Sequence, residues 1–558
     1  MDFVIIYFFC ILTSFCIYCY GYLINKIVLK YKSVNFFENI IIGFIFLSFL
    51  ALFLNFFFSL NTYINTGIFF IAFVIAIFLH KSLNIVEIIT KLSLISLIGF
   101  LTFILDHSNR PDAGLYHLPF ISILNSEKII FGSVNLQFRY GHISSLQYIY
   151  SLFNNYIFKD NGILIPLTIL YSSVILFFYT ELKKNLNGYL KLYSLLALIF
   201  ILTSMNRYSG FGNDDPAHML YLISTYYFIK FYVDGNKQEN FNLVAIYCLY
   251  TFLIKQFYVL IVFLPLIIIF SNFKKIEIFN RSNIFGLFFL FLWLLKNILT
   301  TSCVLYPVNL TCIDTLKWSP KNTFSSATRV SLSSEAWAKA YPDRLDKQRD
   351  YVKHLSDYQW IVGWYQNHAK IVLKKILPLI IFMLLIFVFL RANKKSRTYK
   401  KNEKSLYLIL LLNLLFSIIW FLKFPTYRYG AAYLGTFFIT IGLLVIKDLN
   451  ILESSKKVVN GILAVIVVFV LTKNSIRIIE NYNIKYTDFP WPKKNSFTEE
   501  NNKNDNLPVI KNNVIIYYTA NPYPLCMYSK SPCTSFKDLK VKREINRFNY
   551  KVFIPEVF

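Results

Sequence analysis

Apolar residues arrive in this chain as long, nearly uncharged blocks separated by short polar segments, not in the rhythm of soluble helices that keep one face wet. A backbone in hydrocarbon must satisfy its own hydrogen bonds, and about 20 apolar residues in a helix cross the bilayer core. Each block is therefore a candidate span, and about 14 can be counted. They cover 4–23, 36–58, 66–79, 88–105, 163–179, 190–203, 217–233, 241–254, 258–270, 284–299, 376–390, 406–422, 431–446 and 458–471. The first lacks the basic start and small-residue cleavage site of a signal peptide and is read as a retained span. The pattern predicts an all-α polytopic membrane protein over 1–473 with a tail domain over 474–558. In the tail, 514–518 and 551–554 are strand-like, 521–524 is turn chemistry and 493–506 is a polar linker, so a small α/β soluble domain is expected.

Composition agrees: 56% of the 558 residues are hydrophobic and 19% aromatic, too apolar for water to be the main solvent. The net charge of +27 would suggest nucleic acid in a soluble protein. Here Lys and Arg fall between the apolar blocks, so the charge reads as membrane topology and implies no nucleic-acid partner. Lys26, Lys30 and Lys32, then Lys81, Lys183, Lys184 and Lys191, then Lys274, Lys275 and Arg281, and the run from Arg391 to Lys404 share one side only if 241–270 is a hairpin. By the positive-inside rule that side is cytoplasmic. Outer segments are then 106–142, 205–216 and 301–370, joined by the tail. Cysteines favour the same sidedness: Cys303 with Cys312, and Cys526 with Cys533, are spaced to close short disulfides in an oxidising compartment.

The outer segments also carry the candidate chemistry. In Leu105-Asp-His-Ser-Asn-Arg-Pro-Asp-Ala-Gly-Leu-Tyr-His117, Pro111 suits a first helical turn and puts Asp112 at the positive end of that helix. Asp112 shares a face with Tyr116, with His117 one position round, and a carboxylate there can orient or deprotonate a hydroxyl. Asp106, six positions earlier, is the rival base. In Asn213-Asp-Asp-Pro-Ala-His218, Asp214 and Asp215 are candidates for substrate contact or for a divalent cation such as Mg or Mn, with Asp215 equally suited to cap the helix before Pro216. Lys423 and Arg428, in Lys-Phe-Pro-Thr-Tyr-Arg-Tyr-Gly430, are candidate phosphate partners at headgroup level. Lys255 and Lys296 interrupt apolar stretches and are weaker candidates, and Arg139 and His142 carry no spacing that fixes a role.

Asp112-Ala-Gly-Leu-Tyr-His117, the loop Asn213-Asp-Asp-Pro216, Arg428 in the last outer turn and the tail together resemble the GT-C superfamily of membrane glycosyltransferases. These include protein O-mannosyltransferases and bacterial enzymes that use polyprenyl-phosphate sugars. The resemblance implies an inverting transfer of a sugar from a polyprenyl-phosphate donor to a glycan, lipid or protein acceptor, at the outer face of a bacterial inner membrane. It makes Asp112 the base or the carboxylate that orients the acceptor, puts Asp214 or Asp215 on a metal or the acceptor, and puts Arg428, with Lys423 as a candidate second cation, on the departing phosphate. It departs from the superfamily in placing the acidic loop after the fourth span, and in having Ala113 where many members carry a second acid. A transporter or flippase of lipid-linked saccharide would also need many spans, and a glycan polymerase or ligase would lean on outer Arg and His instead.

Overall fold

The computed structural model describes residues 3–101, 112–339, 351–392, 403–446 and 456–481, less 33, 80–83, 143, 185–186, 206–210, 321–322, 357 and 359. In the tail it describes 509–511, 514–516, 526, 528, 531–534 and 541–556. Asp106, Lys81, Arg110, Pro111, residues 394–401, the 493–506 linker and the 521–524 turn lie outside the described residues.

Helices dominate: α1 (Phe3–Ile24), α2 (Phe36–Asn55), α3 (Thr62–Leu79), α4 (Ile85–Gly99), α5 (Leu118–Ser126), α6 (Ser145–Leu152), α7 (Ile165–Lys184), α8 (Gly188–Ser204), α9 (Asp214–Val233) and α10 (Gln238–Ile254). They continue as α11 (Phe263–Asn272), α12 (Arg281–Thr301), α13 (Thr323–Ala338), α14 (Tyr351–Ser356), α15 (Trp360–Trp364), α16 (Lys370–Ala392), α17 (Glu403–Lys423), α18 (Tyr427–Val445) and α19 (Lys456–Asn481). Among the described residues, 8 helices are long and apolar enough to cross a membrane, and Thr62–Phe78, Gly188–Ser204 and Gln256–Asn272 are shorter apolar helices. The protein is membrane-embedded. Apolar side chains on α3, α16 and α19, such as Phe78, Leu373 and Val468, face outward, as they should where lipid is the neighbour. The Asn-rich composition has a local use: Asn35, Asn84, Asn187 and Asn280 each accept a backbone N–H at the start of α2, α4, α8 and α12.

Close packing is written into a glycine pair. A Cβ on Gly21 of α1 would stand 1.7 Å from the Asn39 carbonyl oxygen, and one on Gly43 of α2 would stand 2.0 Å from that of Ile17, so the two backbones touch where they cross. The expected hairpin is present: α10 ends at Ile254, Lys255 is extended (φ −147°, ψ 105°), and a 3₁₀ segment Gln256–Val262 leads into α11, which packs against α10.

Polar groups collect at the two ends of the bundle. At one end, Tyr227 and Tyr247 hydroxyls donate to Glu38 Oε1 at 2.6 and 3.0 Å, Asn35 Nδ2 donates to Glu181 Oε1 at 3.4 Å, and Tyr31 bonds Ser282 at 2.7 Å. At the other lie the segments read as outer, with both disulfides, Cys303–Cys312 and Cys526–Cys533. The tail reaches this end too. Strands β1 (Val509–Lys511), β2 (Val514–Ile516) and β3 (Cys533–Thr534) form a mixed sheet, and β4 (Val541–Ile545) pairs antiparallel with β5 (Lys551–Pro555). Phe131 N–H donates to the Lys551 carbonyl at 3.0 Å and Phe553 N–H to the Phe131 carbonyl at 2.9 Å, so β5 is zipped onto the outer segment after α5. Lys551 also pairs with Glu127. The described tail is strand only, where an α/β domain was expected, and α19 continues through Asn481, past the 473 boundary, because 472–481 stays helical beyond its last apolar run.

Candidate functional site

Asp112 opens a π-helical turn, Ala113–His117, that feeds directly into α5. The wider turn still brings Asp112, Tyr116 and His117 onto one side of the segment. His117 is buried and its ring lies 4.2 Å from that of Tyr116, over which Arg139 is stacked at 5.8 Å. Asp112 is more open, with 47% of its side chain exposed.

Asp214 is the first residue of α9, where an ionised carboxylate meets the positive helix end. The N-cap position is Asn213, which forms no side-chain cap, so Asp215 does not take the capping role that was one of its two sequence readings; it lies inside the first turn. Pro216 tolerates this because a first-turn residue needs no N–H partner. Lys255 follows the C-terminus of α10, the end that favours a cation, and its ammonium contacts Asp214 Oδ1. Burial pushes the Asp214 carboxyl up, but the Lys255 and Arg428 cations outweigh it and hold the group well below the usual carboxylate range. It is charged at any physiological pH.

Arg428 is the second residue of α18, an end where a cation is disfavoured by the helix dipole. What offsets this is a pair of carboxylates from two other stretches: Arg428 Nη1 is 3.8 Å from Asp112 Oδ2, and Nε is 3.9 Å from Asp214 Oδ2. Its backbone is pinned, since the Arg428 carbonyl accepts from His218 Nε2 at 3.1 Å and Tyr258 donates to the Tyr429 carbonyl at 3.2 Å. Gly430 permits the approach of Trp420; a Cβ there would sit 2.4 Å from the indole. The guanidinium lies between two rings, 4.9 Å from Trp337 and 5.0 Å from Tyr429, and Nη2 donates to the Tyr429 hydroxyl at 3.0 Å. Among the described residues its buried Nε has no hydrogen-bond partner, so the fork keeps donor capacity beside two ionic contacts too long to be hydrogen bonds.

Asp112, Tyr116, His117, Asp214 and Arg428 thus belong to one cluster, with Asp215 at its edge, where Oδ1 is 3.6 Å from His218 Nδ1. Lys423 does not join it. Its ammonium points to Glu335 Oε2 at 3.4 Å and is 60% exposed, because α13 of the long outer loop brings a carboxylate to that side of the turn. Lys296 lies over Trp293 instead, at 4.9 Å. A divalent cation fits Asp214 and Asp215 poorly: Asp214 already faces two cations, and no group of three metal-binding side chains occurs among the described residues. Sequence reasoning missed Gln147 and Trp337 and gave Tyr429 no role beyond flanking Arg428. The Ser144-Ser-Leu-Gln147 spacing was a readable capping-box signal for the first; nothing local marks Trp337.

A family model described as "Domain of unknown function (DUF8201)" matches residues 1–435, which includes every residue of the cluster. No curated protein and no solved structure matches the chain.

Proposed function

We propose that this chain, which belongs to the DUF8201 family, is a membrane glycosyltransferase of GT-C type that moves a sugar from a polyprenyl-phosphate donor to a hydroxyl of a cell-envelope glycan, lipid or protein. One observation carries the reading. Two carboxylates from separated segments meet an arginine from a third at the end of a membrane bundle, and among the described residues the buried Nε–H of that arginine has no hydrogen-bond partner. On this reading the half-exposed Asp112 takes the proton of the acceptor hydroxyl as its oxygen bonds the anomeric carbon from the face opposite the phosphate. The bond to the phosphate oxygen breaks, its electron pair leaves with the polyprenyl phosphate, and Arg428 stabilises the growing negative charge. Asp214 stays ionised and holds Arg428 and Lys255 in place. The scaffold would comprise about 14 spans, counting the shorter and more polar helices with the long ones, with the cluster on the outer face of a bacterial inner membrane.

The test is Asp112→Asn in purified, reconstituted protein supplied with a polyprenyl-phosphate sugar. Turnover should fall about 100-fold or more, the range for loss of a general base. Full retention would remove Asp112 from the chemistry. Flipping or uptake in proteoliposomes with no sugar product would move the assignment to transport. A greater loss on Arg139→Ala or His142→Ala than on Asp112→Asn would favour a polymerase or ligase.

A further inference from the structure

The two acidic motifs are joined by a residue belonging to neither. Gln147 is the third residue of α6, and its side chain closes a capping box with Ser144: the Ser144 backbone N–H donates to Gln147 Oε1 at 3.1 Å. A backbone N–H can only donate, so this contact fixes which end of the amide is oxygen, a matter that geometry alone usually leaves open. The other end, Nε2, must then be the group that faces His117 Nδ1 at 2.7 Å and Asn213 Oδ1 at 3.4 Å. An amide nitrogen is a donor without acceptor capacity. His117 Nδ1 must therefore accept, and the ring proton must sit on Nε2.

From this chain of donors we infer that Gln147 is a positioning residue that locks His117 as the neutral Nε2–H tautomer. With Nδ1 engaged and the proton on Nε2, His117 has a donor to offer and no free ring nitrogen with which to act as a base. The same geometry disfavours an imidazolium, since a proton on Nδ1 would point at the N–H of Gln147. Burial works in the same direction and pushes the ring down to about 4, against the opposite pull of Asp112 and Asp214. The consequence for the reaction rests on the transferase reading: proton removal falls to Asp112 alone, and His117 can only donate to an oxygen of the substrate. The tautomer itself does not depend on that reading.

The measurement is the ¹⁵N spectrum of full-length protein in detergent or nanodiscs, with histidine labelled. The chain has seven histidines, and His117 is assigned by the signal lost in His117→Asn. In the unmodified protein His117 should show a bare Nδ1 and a protonated Nε2 from neutral pH down to about 5. A proton on Nδ1, or an imidazolium at neutral pH, would overturn the inference. Gln147→Glu supplies the complementary arm. Its carboxylate still accepts from Ser144 but now also accepts from the ring, so the proton should move to Nδ1 and the imidazolium persist to higher pH. An unchanged His117 signal in that variant would equally overturn the inference. Because neither arm measures sugar transfer, its failure is distinguishable from a failure of Asp112→Asn to affect turnover.

Discussion

His117 is where burial shows most directly as chemistry. It is 4% exposed, burial pushes its ring down to about 4, and the same side chain free in an unfolded chain has a pKa of about 6.5. Between those values the unfolded chain holds a proton that the native state does not. The contribution is intact above about 6.5 and is lost as pH falls towards 4, by about 3 kcal/mol in total. His142, pushed down to about 4 by burial and by Arg139, acts in the same window. Thermal unfolding in detergent should therefore show a clear loss of stability from pH 7 to pH 4.5, and His117→Gln should flatten part of that decline. A variant with an unaltered pH profile would mean that His117 is not buried neutral. Asp214 acts with the same sign but in a lower window: its two cationic neighbours hold the folded carboxyl below its unfolded range, so its contribution is lost mainly below about pH 5.

Helices in this protein are placed by contacts that side-chain pattern shows unevenly. The span blocks were legible because hydrocarbon demands long apolar runs, and the hairpin at Lys255 was legible because charge bias required a reversal there. The motif residues Asp112, Asp214 and Arg428 were legible as candidates, since all three stand at helix starts next to Pro or Gly signals. What the pattern does not encode is which helix faces which. Lys423 and Arg428 are five positions apart in one turn, yet the first meets Glu335 of α13 and the second meets Asp112 and Asp214. Gln147 likewise reads as a capping residue and becomes a link between motifs only when α6 packs beneath them. The glycines of α1 and α2 are a middle case, since small residues in spans hint at close crossings without naming the partner. Their pairing yields a sharp expectation. Gly43→Ala puts a methyl 2.0 Å from the Ile17 carbonyl oxygen, so α1 and α2 must separate, and unfolding in detergent should show a loss of about 2 kcal/mol or more. Gly67→Ala on α3, where an added Cβ meets nothing within 4 Å, is the matched control and should be close to neutral or slightly stabilising. Equal effects of the two would dismiss the close crossing.

At the scale of the molecule the bundle has two polar poles, and the proposed chemistry needs the right one to face outward. One pole gathers Glu38, Glu181, Tyr227 and Tyr247 beside the basic segments around Lys183 and Lys275; the other gathers the Asp112–Arg428–Asp214 cluster, both disulfides and the docked β5. Disulfides persist in an oxidising compartment and Lys-rich segments stay cytoplasmic, so two unrelated forces predict the same orientation. The chain is also suited to a direct test, because its remaining cysteines, Cys10, Cys16, Cys19 and Cys248, are all buried and the other four are paired. Leu310→Cys, at a site 86% exposed inside the Cys303–Cys312 loop, should react with a membrane-impermeant maleimide on intact cells. Lys275→Cys, on the exposed turn after α11, should react only after permeabilisation. Reversed labelling would put the arginine cluster in the reducing compartment. Labelling of both sites in intact cells would mean that α12 does not carry the chain across, and the cluster would lose its membrane geometry altogether.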